Sequence, residues 1–278
     1  MENSFENKRF PVTSVTNGKG IEITPDIYCL TTQIVNVFFI GKPQQDSWVL
    51  IDAGMPRAAD EIVAEAEERF GKNTKPEAII LTHGHFDHVG SIVTLLEKWQ
   101  VPVYAHEQEL PYLTGMEAYP EPDPSVDPGL VAKMSPAFPN DGITITEYVE
   151  ALPSDHTVPQ LDGWQWIHTP GHTKGHISLF REQDRALIAG DAFVNVKQES
   201  LYQVVTQHEE INGPPQYLTT DWQAAWDSVK KLNSLKPALA GTGHGKPLRD
   251  KKLTEALQKL TDHFEEIAIP DHGKYVDD

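Results

Sequence analysis

The sequence predicts an α/β protein in which strands and amphipathic helices alternate in layers, and three observations carry that prediction. Short apolar runs of strand length, bounded by turn residues, recur from the start of the chain. From Trp48 onward, patterns with one apolar and one acidic face intervene between them. Several runs end in glycine-containing turns that carry histidine or aspartate.

Strand-like runs fall at 21–24, 27–30, 33–40 and 48–52, and the turn residues between them imply an antiparallel meander. Over 58–70 the period becomes helical, with Ile62, Val63, Ala66 and Phe70 on one face. A strand at 78–81, a helix at 91–99 and a short strand at 103–105 follow. Between 111 and 140 the chain changes character. Pro111, Pro120, Pro122, Pro124, Pro128, Pro136 and Pro139 fix φ and remove N–H donors, so this segment is expected to hold no long helix or central strand and reads as a surface insertion.

Strands resume at 143–148, 164–168, 177–181 and 186–189. An irregular stretch then leads to Thr220, an amphipathic helix at 221–235, a strand near Ala238 and a helix at 253–267. We read residues 1–278 as a single domain with an insertion at about 111–140 and a C-terminal helix after 250.

Bulk properties restrict the function. A formal net charge of −18 repels phosphate backbones, and the short pairs Lys230–Lys231 and Lys251–Lys252 form no patch that would overcome it, so nucleic acid is not an expected partner. No apolar run approaches the roughly 18 residues of a membrane helix, and MENSFENKRFPVTSV has no apolar core of a secretory signal, so a cytoplasmic protein without a membrane partner is expected. Cys29 is the single cysteine; it excludes an internal disulfide and a thiolate cage. Metal chemistry in this chain therefore falls to histidines and carboxylates.

Those residues gather in four places. Thr82-His83-Gly84-His85-Phe86-Asp87-His88 follows the apolar strand Ala78-Ile79-Ile80-Leu81. In extended chain, side chains two apart point the same way, so His83 and His85 can grip one ion while the chain turns and presents Asp87 and His88 to another. Gly84 is expected to ease that turn. Thr169-Pro170-Gly171-His172-Thr173, Ala189-Gly190-Asp191 and Thr242-Gly243-His244-Gly245 each follow a strand. Five histidines and two carboxylates supply two adjacent ions, with Asp191 the natural bridge because a carboxylate has two oxygens to share. His176 reads equally as an orienting residue or a satisfied core histidine. His168 reads as structural, and His106, His156, His208, His263 and His272 as surface or loop residues.

In order and spacing, THGHFDH, TPGHT, AGD and TGHG resemble the signature of the metallo-β-lactamase superfamily, over about residues 20–248. The resemblance implies a four-layer αββα sandwich. It implies that His83, His85 and His172 hold a first metal, Asp87, His88 and His244 a second, and that Asp191 bridges them. It places Asp52, in Leu50-Ile51-Asp52-Ala53-Gly54, behind the ligands as a support rather than among them. Zinc is the expected metal; iron and manganese also suit such donors.

Two cations roughly 3.5–4 Å apart bring a bridging water towards hydroxide at neutral pH, so no serine or cysteine nucleophile is required. Asp87 is the expected catalytic carboxylate, accepting and returning a proton. The implied reaction is hydrolysis of an ester, lactone or related acyl bond in a small molecule, with β-lactams and thioesters as further substrates of the class. Glyoxalase II-like thioesterases carry an additional helical domain, whereas 34 residues follow His244 here, which disfavours glutathione thioesters. A mononuclear-iron persulfide dioxygenase and a non-catalytic metal-binding protein remain the alternatives from other classes. Tyr202 and Tyr217 lie in the stretch expected to cover the metals, and Tyr217 is a candidate oxyanion donor by analogy with lactonase relatives.

Overall fold

The apolar runs within 27–40 carry apolar residues on both faces, and the chain buries them in consecutive antiparallel strands. A computed structural model describes residues 1–276, which form two compact units. The first comprises Met1–Tyr119 and Pro139–Asp162. Its strands are β1 (Gly20–Thr24), β2 (Ile27–Thr32), β3 (Val35–Ile40), β4 (Val49–Ile51), β5 (Ala78–Ile80), β6 (Val103–Ala105) and β7 (Val149–Ala151), in that order in one sheet. Pairing is antiparallel from β1 to β4 and parallel from β4 to β7.

Parallel neighbours need crossovers, and the helices α1 (Ala59–Phe70) and α2 (Ile92–Trp99) supply the first two. A short α3 (Leu110–Leu113) follows β6. Ile62, Val63, Ala66 and Phe70 are the buried face of α1, as their spacing requires. Trp48 stacks on Phe70 at 4.6 Å between ring centroids and meets Trp99 edge-on at 5.7 Å, tying both helices to the sheet.

The second unit comprises Pro120–Phe138 and the chain from Gly163 onward. It contains α4 (Leu130–Met134), β8 (Trp164–His168), β9 (Ile177–Arg181), β10 (Ala186–Ile188), α5 (Leu201–Thr206), α6 (Trp222–Ser234), β11 (Leu239–Gly241), β12 (Leu248–Arg249), α7 (Asp250–Asp262) and α8 (Phe264–Ile267). The sheet order is β12-β11-β10-β9-β8, with only β10 and β11 parallel. Phe180, Leu187, Phe193, Val229, Leu257 and Phe264 belong to its core. Among the described residues no helix is long and apolar enough to cross a membrane.

Three expectations need correction. Residues 143–148 are not a sheet strand: Ile143 and Ile145 donate their N–H groups to the carbonyls of Tyr112 and Leu113, and Tyr148 N–H closes a turn on Ile145. Their alternation is spent on that contact, and the paired strand is Val149–Ala151, which has little apolar pattern to announce it. The proline-rich segment does lack long helices, but it is not merely superficial, because Tyr112, Leu113, Tyr119, Val126, Val131 and Ala132 are buried. The helix expected at 253–267 breaks at His263 into α7 and α8.

Candidate metal centre

Parallel pairing places Ile51 beside Ile80, so the residues just beyond β4 and β5 emerge together at one sheet edge. Asp52 follows β4 directly, and Thr82 lies two positions past β5. Asp52 Oδ1 accepts the Thr82 N–H at 2.7 Å, and Oδ2 accepts the Thr82 hydroxyl at 2.8 Å and Nδ1–H of His88 at 2.8 Å. These bonds hold Asp52 at φ 61°, a left-handed conformation unusual outside glycine.

Beyond Thr82 the chain makes a single tight turn, with His88 N–H donating to His85 C=O at 2.9 Å and Ala53 N–H to His88 C=O at 2.7 Å. His83 thereby meets His85 at 4.8 Å and His88 at 4.1 Å between ring centroids. His83, His85, Asp87 and His88 are all buried.

Hydrogen bonding fixes two ring tautomers here. A threonine hydroxyl has one proton, and that of Thr82 goes to Asp52, so the 3.1 Å contact with His83 is donated by His83 Nδ1–H. His88 Nδ1–H is committed to Asp52. Both rings therefore keep the Nε2 lone pair for a ligand.

Gly84 serves close approach rather than the turn itself. Its φ is not left-handed, but a Cβ would meet Tyr119 Oη at 2.5 Å and Leu113 Cδ2 at 3.1 Å. Gly84 N–H donates to Glu109 Oε2 at 3.0 Å and to Tyr119 Oη at 2.9 Å, and the Tyr119 hydroxyl donates to the same Glu109 oxygen. Burial first, then the Glu109 charge, pushes the Tyr119 hydroxyl well above its ordinary pKa, so it stays protonated as the donor this arrangement needs. The Tyr119 ring lies 4.5 Å from that of His85 and is backed by Tyr112 at 4.0 Å.

The second unit uses the same device at the ends of β8, β10 and β11. Gly171, at φ 132°, passes so close to α6 that a Cβ would lie 2.4 Å from the Ala225 nitrogen, and His172 follows it. Thr219 gives its proton to Pro215 C=O at 2.8 Å, so it accepts Nδ1–H of His172 at 3.1 Å and leaves Nε2 as the lone-pair atom. Ala189 N–H bonds to Gly241 C=O and Gly243 N–H to Gly190 C=O, which aligns the turns carrying Asp191 and His244. Asp191 Oδ2 lies 3.6 Å from His172 Nε2 and 3.3 Å from His244 Nε2.

His176, left open between two readings, holds the turn that carries Asp191. Its Nε2 accepts Asp191 N–H at 2.9 Å, and its Nδ1–H faces Thr169 Oγ1 at 2.9 Å; Thr169 in turn meets Ser178 at 3.0 Å, and Ser178 donates to Ala189 C=O. His168 bonds Lys174 C=O at 2.8 Å outside the cluster. His106 is buried rather than superficial and accepts Gln108 N–H at the start of a helical turn. Tyr217 packs in a small cluster with Val126, Val131 and Phe138, while Tyr202 is exposed.

Buried histidine and aspartate side chains thus form groups that could hold a metal ion. Their donor chemistry fits divalent cations. His172 Nε2 and Asp191 Oδ2 are both acceptors, as are His88 Nε2 and Asp87 Oδ2 at 3.9 Å, and a cation is what compensates acceptors turned toward one another. Sequence reasoning missed Thr82, Thr169, Ser178, Thr219, Glu109 and Tyr119. Hydroxyls that fix a tautomer follow no spacing rule, and the last two lie around the proline-rich segment.

Comparison with known proteins agrees. A family model described as the Metallo-beta-lactamase superfamily matches residues 30–244. The chain is 51% identical over 258 residues to the "Probable metallo-hydrolase YflN" of Bacillus subtilis, covering 92% of this chain and 98% of that protein. A solved structure, "TTHA1623 in a di-iron-bound form", aligns with TM-score 0.52 and 25% identity over 80% of this chain and 92% of that one. ST1585 from Sulfolobus tokodaii, an archaeal metallo-beta-lactamase superfamily protein, aligns with TM-score 0.56 and 19% identity over 90% of this chain and 84% of that one. That likeness shows the shared fold, two mixed sheets with flanking helices, and it is the αββα class expected from the sequence.

Proposed function

This chain belongs to the metallo-beta-lactamase superfamily of metallo-hydrolases, and from that premise we propose that it cleaves an ester, lactone or related acyl bond of a small molecule with two bound divalent ions. In this reading, which the family likeness supports, His83, His85 and His172 would hold one ion, Asp87, His88 and His244 the other, and Asp191 would serve both. The observation that carries it is the Asp191 carboxylate set against Nε2 of His172 and of His244, with His172 locked by Thr219 in the tautomer that offers a lone pair.

Bound ions would supply Lewis acidity, lowering the pKa of water towards neutrality and polarising the acyl carbonyl. The chain's own residues do the rest. Asp52 holds the His88 ring through Nδ1, and Thr82 and Thr219 do so for His83 and His172, which keeps the donor atoms aimed without reorganisation. His176 fixes the backbone of Asp191. Asp87, buried yet 3.9 Å from His88 Nε2, takes a proton from the attacking water and returns it to the leaving group.

Zinc is the metal we favour, because a donor set dominated by imidazole suits it. Iron is the second reading, favoured by the di-iron form of a structural relative. The test is a hydrolysis screen over lactones, esters, thioesters and β-lactams with native, chelator-stripped and zinc-reloaded protein. Turnover that disappears on stripping and returns with zinc supports the proposal; turnover that survives stripping, or none by protein carrying two ions, overturns it.

A further inference from the structure

In a chain of net charge −18, three cations line one cavity of the first unit. The cavity measures about 310 Å³, and Lys8, Arg9 and Arg57 face it together with a single carboxylate, Glu61. None of the three cations has an ion-pair partner among the described residues. Three cations against one carboxylate leave an excess of positive charge, and such a local reversal of the molecule's field focuses anions. The amides of Asn17 and Gln33 add neutral polar groups to the wall.

The three cationic side chains are exposed, but the backbone that carries them is fixed. Arg57 sits at φ 71° and Gln33 at φ 54°, both left-handed without being glycine. Gln33 N–H donates to Asn17 Oδ1 at 2.6 Å and its side chain to Phe10 C=O at 3.2 Å, which ties the N-terminal segment to the β2–β3 turn. After Arg57, the Ala58 N–H is held by Ser91 Oγ at 2.8 Å. Phe10 also lines the cavity, and its ring lies 4.8 Å from that of Phe86, the residue between His85 and Asp87. The wall of the cavity is therefore packed against the metal-binding turn. A second cavity with two cations, Arg185 and Lys236, lies at the start of β10, the end of that strand remote from Asp191, and has no comparable link.

We infer that this cavity receives a carboxylate carried on the acyl part of the substrate, with Arg57 as its anchor and Lys8 and Arg9 as flanking charges. Guanidinium suits a carboxylate because its planar fork can donate two parallel bonds. The volume lies within the range of small-molecule sites and admits a carboxylate with part of its chain. The inference rests on the acyl-hydrolase reading and narrows it to anionic acyl compounds.

The experiment compares kcat/KM of the zinc-loaded full chain for 4-nitrophenyl butyrate and mono-4-nitrophenyl glutarate, which differ by the terminal carboxylate. Glutarate ester should be preferred about tenfold or more, and Arg57→Gly should erase most of that preference. Glycine is chosen because it accepts the left-handed backbone without strain. A Lys8→Gln/Arg9→Gln double variant should lower the same ratio, and added salt should erode it. A ratio near one in the native protein, or one unmoved by Arg57→Gly, overturns the inference. Calorimetric titration with free glutarate separates this from failure of the hydrolase reading. Binding that Arg57→Gly weakens, with neither ester hydrolysed, keeps the anion site and overturns its link to acyl hydrolysis. Equal binding to both proteins, or none to the native one, overturns the site. Glutarate that binds through Arg57 without competing with the glutarate ester assigns the cavity to a free anion instead of substrate.

Discussion

Asp52 Oδ2 lies 2.8 Å from Nδ1 of His88, a residue 36 positions later in the chain, and the same carboxylate holds the backbone and hydroxyl of Thr82. One aspartate at the end of β4 thus fixes both ends of the turn that carries four expected ligands. Replacing it by alanine frees the His88 ring and strands three buried donors. Asp52→Ala should weaken metal binding about 10–100-fold, read by competition with a chromophoric chelator. Native affinity in that variant would remove Asp52 from the account.

Gly84 and Tyr119 give a paired test. A methyl group at position 84 meets Tyr119 Oη at 2.5 Å, whereas the backbone conformation itself accepts alanine. Gly84→Ala should lower both Tm and metal content. Adding Tyr119→Phe removes the obstructing oxygen, so the double variant should lose less than the sum of the singles, with a coupling of about 0.5–3 kcal/mol. Strict additivity would show that the oxygen is not the obstacle.

Asp87→Ala addresses the proton-handling role. Turnover of any hydrolysed ester should fall about a hundredfold or more, and metal content should drop toward one ion per chain. Near-native turnover would assign the proton transfer elsewhere.

Glu199 provides a pH-dependent prediction away from the expected ligands. Burial holds its carboxyl above the usual range, against the opposing bond from Gln216 N–H at 2.7 Å. The folded state then keeps a proton that the unfolded chain releases, so this group's contribution to stability falls as pH rises from the ordinary glutamate pKa of 4.5 through the raised folded pKa. Glutamine can accept the same N–H without ionising. Glu199→Gln should therefore raise Tm at neutral pH and leave it nearly unchanged at pH values below the ordinary glutamate range. An equal shift at both ends would contradict the burial explanation.

Much of this was legible in the sequence because the expected ligands sit where strands stop. β5, β10 and β11 are apolar runs of a few residues followed by His83, Asp191 and His244, and glycine beside each motif marked a close approach. What escaped is of two kinds. β7 and β12 are edge strands of three and two residues whose side chains carry no strong period, so pairing alone defines them. Glu109 and Tyr119 reach Gly84 through tertiary packing, which a proline count over 111–140 could not foresee. The tautomer-fixing threonines escaped because their role depends on which acceptor takes the hydroxyl proton, a matter of geometry.

The buried histidines and aspartates are proposed to hold a pair of ions. Elemental analysis of the protein purified without added metal tests this most directly. Two ions per chain, mostly zinc, is the predicted result; a single iron per chain, accompanied by oxygen consumption and no hydrolysis, would contradict it.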